Sequence, residues 1–236
     1  MIGEPCTVLV VTYNRPVEIR RTLYAFLKNV IYPHDKLLFH LADDASPGSY
    51  IADIKSEFNF LHWSHTRTER GGWGKNVNTA LKAIVTPFVF LMEDDYVANG
   101  PVDLETGARL MTNVEQVGLV RYDGLAGHFL TLHINEFVNH EGRIDYCVID
   151  KKSRHLNVYS NRPHLRHKRF TDYYGYYPEG GKLGWTEEAF AHHVRKAPDD
   201  SPSLAILKDG IPRRFEHIGK SYQLSGEDVG KRGKSG

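Results

Sequence analysis

Short apolar runs alternate with longer amphipathic segments over the first hundred residues. The apolar runs have the length of β-strands and lie at residues 6–12, 37–42, 61–64 and 88–92. The segments between them carry apolar residues three or four positions apart, such as Ile19, Leu23 and Phe26, which is the spacing of one helix face. Repeated alternation of strand and helix predicts an α/β protein with a Rossmann-type, mostly parallel sheet and helices on both faces.

The remainder of the chain has a less regular pattern. Residues 102–114 have helical spacing, and residues 117–123, 128–134 and 146–150 are predicted as further strands, the later ones antiparallel. We therefore expect a smaller mixed part that continues the parallel sheet.

Residues 151–170 form a basic segment, with seven Lys or Arg, three His and no acidic residue. Such a segment is either a solvated loop or a surface that attracts an anionic donor or acceptor. Residues 171–181 then place four tyrosines among glycines and a proline. Rings in a loop would suit stacking on sugars or bases, and the alternative is a place in the core. The interspersed Gly and Pro favour the loop.

Polar side chains follow the predicted strands at the point where each strand ends. Asn14 follows the first strand, Asp43 and Asp44 follow the second, and residues 93–95 end the fourth. The carboxyl ends of parallel strands lie at one edge of a sheet, where ligands bind in open α/β folds. The sequence therefore predicts a polar rim.

Three consecutive carboxylates, Glu93, Asp94 and Asp95, end the apolar strand at residues 88–92. Their mutual repulsion needs a cation or hydrogen-bond donors in compensation, and hard oxygen ligands suit Mg²⁺ or Mn²⁺. The alternative is an acidic turn in solvent. The position directly after a wholly apolar strand favours the metal site.

A glycine-rich loop at residues 70–76 precedes a predicted helix. It matches neither the dinucleotide fingerprint nor the P-loop spacing. Its glycines permit close backbone approach, the helix start offers N–H groups, and Lys75 adds positive charge, which together suit a diphosphate. The alternative for Lys75 is a solvated helix residue.

Composition narrows the class of protein. The chain has 236 residues, 41% hydrophobic and 25% charged, enough for one sizeable α/β core. A formal net charge of +1 gives no whole-chain argument for a nucleic-acid or membrane partner. Cys6 and Cys147 are too few for a disulfide framework, and no apolar stretch has the length of a membrane span. The first residues show no secretory signal, so the cytoplasm is the expected location.

Four motifs in order carry a resemblance to a known family. They are Val-Val-Thr-Tyr-Asn-Arg-Pro at residues 10–16, Asp-Asp-Ala-Ser-Pro-Gly at 43–48, Gly-Gly-Trp-Gly-Lys-Asn at 71–76 and Phe-Leu-Met-Glu-Asp-Asp at 90–95. Together they resemble the nucleotide-sugar-binding half of family 2-type glycosyltransferases with the GT-A fold.

The resemblance implies a donor site for a nucleotide sugar. The turn at residues 12–15 and the Asp43–Asp44 turn would hold the nucleoside, Asp94 would lie near the ribose, and Asp95 would hold the metal that bridges the diphosphate. The donor-binding residues implied in this way are Thr12, Tyr13, Asn14, Arg15, Asp43, Asp44, Gly72, Lys75, Asn76, Glu93 and Asp94.

Two positions depart from the family pattern. Glu93 stands where the motif usually has its first Asp, and Gly74-Lys75-Asn76 replaces the usual Ala-Arg-Asn. Lys75 would therefore have to take the part of the phosphate-contacting arginine.

The segment Trp-Thr-Glu-Glu at residues 185–188 predicts a helix start, with Thr186 as N-cap. Acidic residues there complement the helix dipole, and a carboxylate so placed stays ionised and can accept a proton. In the resembled enzymes an acidic residue beginning such a helix is the general base of inverting transfer. Glu188 is favoured slightly over Glu187 for this role.

Phe-Glu-His-Ile-Gly-Lys-Ser at residues 215–221 supplies the last candidate, His217. The resemblance implies that a late His completes the metal shell with Asp95, and a neutral imidazole suits Mn²⁺. The alternative is one chance position among 13 histidines.

The sequence thus predicts a metal-dependent, inverting glycosyltransferase with a UDP-linked donor. Residues 1–100 would bind the donor, residues 101–224 would hold the acceptor-binding and catalytic half of the same domain, and residues 225–236 would form a flexible tail. The acceptor would be a saccharide, a lipid-linked sugar, a protein or modified DNA. Nucleotidyl transfer, or a carbohydrate-binding or nucleotide-sugar-binding module without turnover, are the alternatives.

Overall fold

The computed structural model describes residues 3–122, 134–139, 142–151, 159–181, 184–208 and 214–219. The predicted strand at residues 128–134 lies outside these ranges except for its last residue, and the predicted tail at residues 225–236 lies wholly outside them.

Strands and helices alternate through the first half of the chain as predicted. The strands are β1 (Cys6–Thr12), β2 (Val30–Ile31), β3 (Leu37–Asp43), β4 (Trp63–Arg67), β5 (Phe88–Glu93), β6 (Tyr96–Ala98), β7 (Val102–Asp103), β8 (Val117–Arg121), β9 (Ile134–Asn139), β10 (Gly142–Val148), β11 (His164–His167), β12 (Ser203–Leu207) and β13 (Phe215–His217). The α-helices are α1 (Pro16–Asn29), α2 (Tyr50–Glu57), α3 (Gly72–Ala83), α4 (Leu104–Asn113), α5 (Lys168–Tyr174) and α6 (Trp185–Lys196), and a 3₁₀ turn covers His34–Lys36.

The main sheet has the strand order β4-β3-β1-β5-β11-β8-β12-β10-β9 within the described ranges. Strands β4, β3, β1 and β5 are parallel to one another, and β8 is parallel to β12. Strand β11 runs antiparallel between β5 and β8, and β10 is antiparallel to β12 and β9. The sheet is therefore parallel from β4 to β5 and mixed beyond them, which confirms the predicted fold class.

Helices cover both faces of this sheet, because neighbouring side chains of each strand point to opposite sides. On one face α1, α2 and α4 pack on residues such as Phe39 and Phe90, where Phe90 stacks on Phe26 with ring centroids 5.2 Å apart. On the other face α3, α5 and α6 pack on Leu9 and Leu91. Each buried aromatic or aliphatic side chain contributes roughly 1.5 to 3 kcal/mol to folding.

Helix α1 shows why the chain turns at the end of β1. Pro16 occupies the first helical position, where its missing N–H costs nothing, and Ile19, Leu23 and Phe26 form the buried face. The N-cap position belongs to Arg15 rather than to Asn14, and it makes no side-chain capping bond. Asn14 instead takes a positive φ of 48° and donates its backbone N–H to Ser46 Oγ at 2.8 Å.

The basic segment is not simply a solvated loop, so that alternative is wrong for its described part. Strand β11 lies in the centre of the sheet, and His164 and Arg166 on it are buried. The four tyrosines of residues 171–181 also differ in burial. Tyr174 and Tyr177 lie in the core, while Tyr173 and Tyr176 are exposed. Residues 152–158 of the segment lie outside the described ranges.

A search of the described helices for membrane spans finds none that combines the required length with the required hydropathy.

Candidate active site

The register of the parallel strands brings the predicted polar residues to one rim. Thr12 lies beside Asp43 in the pairing of β1 with β3, and Val11 lies beside Glu93 in the pairing of β1 with β5. The residues that follow these strands, Asp44 and Asp94, therefore start from the same edge of the sheet. The predicted clustering is confirmed for the turns after β1, β3 and β5.

Asp94 is 3% exposed and is held by the turn after β1. Its Oδ2 accepts hydrogen bonds from Thr12 Oγ1 at 2.8 Å and from the Tyr13 backbone N–H at 3.2 Å, and its Oδ1 pairs with the Arg15 guanidinium at 3.2 Å. Burial raises the pKa of Asp94 to about 6, against the opposing effects of Arg15 and Thr12. The carboxylate is thus fixed in direction by protein donors.

Asp95 is 1% exposed, and the described residues leave one of its oxygens without a hydrogen bond. Its Oδ2 contacts the Arg15 guanidinium and lies 3.1 Å from Nε2 of His217, while the buried Oδ1 has no hydrogen-bond partner among the described residues. The segment after β13 covers this carboxylate, since the Ile218 N–H donates to the Asp95 carbonyl at 2.9 Å. A Cβ on Gly219 would overlap Asp95 Oδ2, so only glycine fits there.

Asp95 and His217 suit a divalent cation. An orphaned buried carboxylate oxygen is a costly arrangement that a metal ion would relieve. Burial, followed by Arg15 and Arg162, lowers the pKa of His217, so its imidazole is neutral at pH 7 and can act as a ligand. No group of three or more Cys, His, Asp or Glu able to hold a metal occurs within the described part of the chain. Two protein ligands would therefore leave further positions to water and phosphate oxygens, which is how Mg²⁺ is usually held.

The Asp43–Asp44 turn is saturated with protein donors. Asp43 accepts bonds from the backbone N–H and the hydroxyl of Ser46. Asp44 accepts from Thr68 Oγ1 at 3.0 Å, from the Gly71 N–H at 2.8 Å and from the Gly72 N–H at 3.0 Å. In this structure both carboxylates tie loops together, and their contact with a nucleoside stays a prediction.

The glycine-rich loop differs from the expected phosphate cradle. The N–H groups of Gly71 and Gly72 donate to Asp44 in this structure, and the expected contact of the helix start with a diphosphate stays a prediction. Gly72 has a φ of 80°, which favours glycine. Lys75 is exposed at the start of α3, open to an anion. Asn76 is buried and donates through Nδ2 to the Ala42 carbonyl at 2.8 Å, which ties α3 to β3.

Glu93 faces the side of the sheet covered by α3 and α6. Burial raises the pKa of its carboxyl group to about 7, and the negative charges of Asp94 and Glu187 raise it further, while Arg15 and Trp73 act in the opposite direction. Glu93 therefore connects the acidic turn after β5 electrostatically to the start of α6.

Helix α6 begins two residues earlier than predicted. Gly184, with a φ of 82°, is the N-cap, and Thr186 lies inside the first turn, its hydroxyl 3.4 Å from the Pro178 carbonyl. Glu187 accepts the Asn161 backbone N–H at 2.9 Å through Oε1. The Glu188 side chain is exposed, and its carboxylate has no hydrogen-bond or ion-pair partner among the described residues. The two predicted base candidates thus differ in how much of each carboxylate is already engaged.

A groove of about 680 Å³ runs along α6 beside these glutamates. Trp185 lines it with an indole that is 44% exposed and packs on the Gly181 backbone, where a Cβ would overlap the ring. His192 and Arg195 line the same groove further along the helix. Its volume is that of a small-molecule site.

Three parts of this arrangement were not predicted from the sequence. The pairing of Arg15 with Asp95 joins residues whose separation along the chain hides their contact. Asn161 and Glu187 are likewise far apart in the sequence but in contact in the structure, and so are Trp73 and Glu93. Trp185, two residues before a pair of glutamates, was the available signal for the groove.

Comparison with known proteins comes from sequence and from structure. A sequence model of the family described as Glycosyl transferase family 2 matches residues 7–178. No curated protein matches the chain.

Similar solved structures include S. aureus TarS 1-349 in complex with UDP-GlcNAc, with a TM-score of 0.64 and 20% identity over 92% of this chain and 61% of that one. The mannosyltransferase PcManGT from Pyrobaculum calidifontis, in complex with GDP-Man and Mn²⁺, has a TM-score of 0.61 and 17% identity over 94% of this chain and 59% of that one. A longer TarS structure has a TM-score of 0.65 and 19% identity over 89% of this chain. These likenesses establish a shared fold.

The chain spans between 36% and 61% of the length of these similar structures. Its match covers the part of each that has the mixed α/β sheet of this chain.

Proposed function

Because the chain belongs to glycosyl transferase family 2, we propose that it transfers a sugar from a nucleotide sugar to an acceptor hydroxyl. One observation supports this most directly. Asp94, Asp95 and His217 meet at the carboxyl edge of the parallel sheet, and Glu93 links them electrostatically to Glu187 at the start of α6. Transfer with a diphosphate leaving group needs a metal site next to other carboxylates, and this turn would provide both.

Asp95 and His217 would hold Mn²⁺ or Mg²⁺. Such an ion, when bound, neutralises negative charge on the departing diphosphate. Asp94 is directed by Thr12 and Tyr13 towards the donor side of the rim, and Lys75 adds a positive charge at the start of α3. These residues would orient the nucleoside diphosphate.

We propose a UDP-linked donor. TarS was solved with UDP-GlcNAc and with UDP, while PcManGT was solved with GDP-Man and Mn²⁺. Both ligands are nucleotide sugars with a diphosphate, and the Tyr13–Asn14 turn and the Asp43–Asp44 turn would discriminate between their bases. A donor screen with UDP-, GDP- and dTDP-sugars, read by product mass, tests this choice.

Glu188 is the proposed general base of an inverting transfer. A base must keep an oxygen available for the acceptor proton, and the exposed Glu188 carboxylate has this freedom. Glu187 already accepts the Asn161 N–H, so its proposed task is to fix the loop before β11 against the start of α6.

The groove along α6 is the proposed acceptor site, and a saccharide is the proposed acceptor. The exposed indole of Trp185 offers an apolar ring face in the same groove as Glu188, and His192 and Arg195 add polar side chains to it. Modified DNA is the less favoured acceptor, and steep salt dependence of DNA binding would support it.

A cytoplasmic location forms part of the proposal. Cys6 and Cys147 are both unpaired and buried, as expected of thiols in a reducing compartment.

The test replaces each glutamate by glutamine and follows sugar transfer and donor binding separately. We expect Glu188→Gln to lower transfer by roughly a hundredfold or more while UDP-sugar binding is unchanged, because only proton removal is lost. Glu187→Gln should have a smaller effect on transfer and should lower thermal stability. The reverse order of effects would move the base to Glu187, and normal transfer in both variants would exclude either as base.

Release of pyrophosphate instead of a nucleoside diphosphate would indicate nucleotidyl transfer.

A further inference from the structure

The Arg15 guanidinium contacts Asp95 Oδ2, the carboxylate oxygen that faces His217, the second proposed metal ligand. It contacts Asp95 Oδ2 and lies 3.2 Å from Asp94 Oδ1, so it bridges the two acids. His217 Nε2 approaches the same Asp95 oxygen at 3.1 Å. Asp95 Oδ2 is therefore surrounded in the ligand-free protein.

The charges explain why Arg15 is there. Asp94 and Asp95 are 3% and 1% exposed, and adjacent buried carboxylates repel each other unless a positive charge lies close. The guanidinium of Arg15 supplies that charge through ion pairs with both. A single guanidinium nitrogen, Nη1, contacts both carboxylates.

A divalent cation and this guanidinium cannot occupy Asp95 together. A metal would lie about 2.1 Å from its carboxylate oxygen, within a few ångströms of the Arg15 nitrogens. Two like charges that close, away from bulk water, repel strongly. Arg15 must leave Asp95 before the metal can bind well.

The position of Arg15 gives its side chain somewhere to move. The residue is the N-cap of α1, where its side chain makes no capping bond, and the side chain is 21% exposed at the rim. The diphosphate of the proposed donor would arrive at this same rim, and it is an anion that a guanidinium binds well.

We propose that Arg15 takes the place of the divalent cation in the ligand-free protein and gives up Asp95 to the metal when the diphosphate binds. This inference rests on the proposed function. The Arg15 guanidinium then binds the diphosphate instead of Asp95. Metal and nucleotide would therefore bind cooperatively. The same coupling must appear whichever ligand is added first.

The experiment measures Mn²⁺ binding without turnover, by the electron paramagnetic resonance signal of free Mn²⁺, with and without UDP. We expect Arg15→Gln to bind Mn²⁺ alone roughly tenfold more tightly than the wild type, because the competing charge is gone. The increase in Mn²⁺ affinity caused by UDP should be smaller in this variant. Arg15→Lys, which keeps the charge but loses the fork, should lie between the two.

Arg20→Gln is the matched control, because Arg20 lies on the same helix and pairs with Glu57 away from the rim. Its Mn²⁺ affinity should equal that of the wild type. Asp95→Asn combined with Arg15→Gln should lose the tight Mn²⁺ binding, which locates the effect at Asp95.

Equal or weaker Mn²⁺ binding by Arg15→Gln and Arg15→Lys, with Mn²⁺ still bound by the wild type, would overturn the role of Arg15 and leave the proposed function intact. Failure of every variant to bind Mn²⁺ in the presence of UDP would overturn both the role of Arg15 and the metal part of the proposed function.

Discussion

Two pairs of adjacent aspartates lie at the same rim of the sheet, and they are satisfied in opposite ways. Asp43 and Asp44 follow β3 and accept hydrogen bonds from the backbone and side chains of Ser46, Thr68 and the glycine-rich loop. Asp94 and Asp95 follow β5 and share the Arg15 guanidinium. Asp94 also accepts hydrogen bonds from Thr12 and Tyr13, whereas one buried oxygen of Asp95 has no hydrogen-bond partner within the described part of the chain.

This difference in hydrogen bonding distinguishes carboxylates that stabilise loops from carboxylates that are available to a ligand. An acid whose lone pairs are filled by protein donors stabilises the loops that supply those donors. An acid that is buried with an empty lone pair costs free energy, and the cost is recovered when a ligand binds. Identical Asp-Asp sequences thus have different tasks because different donors surround them in the folded chain.

Replacement of Asp95 should give the largest effect on function. We expect Asp95→Asn to lower turnover by roughly a thousandfold or more, because the metal loses its carboxylate ligand. The free energy of unfolding should change by about 1 kcal/mol or less, since Arg15 keeps its pair with Asp94. Kinetics with Mn²⁺ and chemical denaturation measure the two effects. Normal turnover in this variant would remove the metal from the mechanism.

Replacement of Asp44 should act on stability instead. Asp44→Asn places an amide group against the N–H groups of Gly71 and Gly72, so we expect a loss of about 2 to 4 kcal/mol in the free energy of unfolding. Mn²⁺ affinity should be retained. Asp53→Asn is the control, because Asp53 accepts from Ser49 at the exposed start of α2, and its loss should cost about 0.5 kcal/mol or less. A stable Asp44→Asn protein without Mn²⁺ binding would reverse the contrast between the pairs.

The pH dependence of stability should show the smallest effect. Burial raises the pKa of Asp94 from 3.8 to about 6, so the folded state binds more protons than the unfolded state between these values. This stabilisation is fully present below pH 3.8 and is lost as the pH rises through 6. Without metal, Asp94 should therefore make the protein about 1 kcal/mol more stable at pH 5 than at pH 7.

Asp94→Asn should lack that part of the pH dependence, as thermal unfolding at the two pH values would show. A difference between wild type and variant that does not change with pH would mean that Asp94 is not perturbed by its burial.

The fold of the donor half could be predicted because its signals are local. The apolar run at Cys6–Thr12 is wholly buried, and the buried face of α1 follows from helical spacing. Parallel pairing then places the strand ends together without further information. The rim residues could therefore be found from position alone.

The charged strand β11 could not be predicted, because His164 and Arg166 have the composition of a solvated segment. Aromatic side chains compensate their burial, as the Arg166 guanidinium donates to the Tyr177 hydroxyl at 2.8 Å and lies 5.1 Å from the Phe170 ring centre. Sequence spacing carries no sign of such a contact.

The partners of the rim carboxylates could not be predicted from the sequence either. Asp44 takes the N–H groups of a loop 27 and 28 residues away, and Arg15 reaches an acid 80 residues away. The sequence identified the residues of the candidate site but not which partner each one has already bound.

The most direct measurement is manganese anomalous scattering from a crystal of the protein grown with Mn²⁺ and UDP. The proposed mechanism predicts one peak about 2.2 Å from an Asp95 oxygen and within bonding distance of the His217 imidazole, with Arg15 turned to the diphosphate. A peak on Asp43 or Asp44, or bound UDP with Arg15 still on Asp95 and no manganese there, would contradict it.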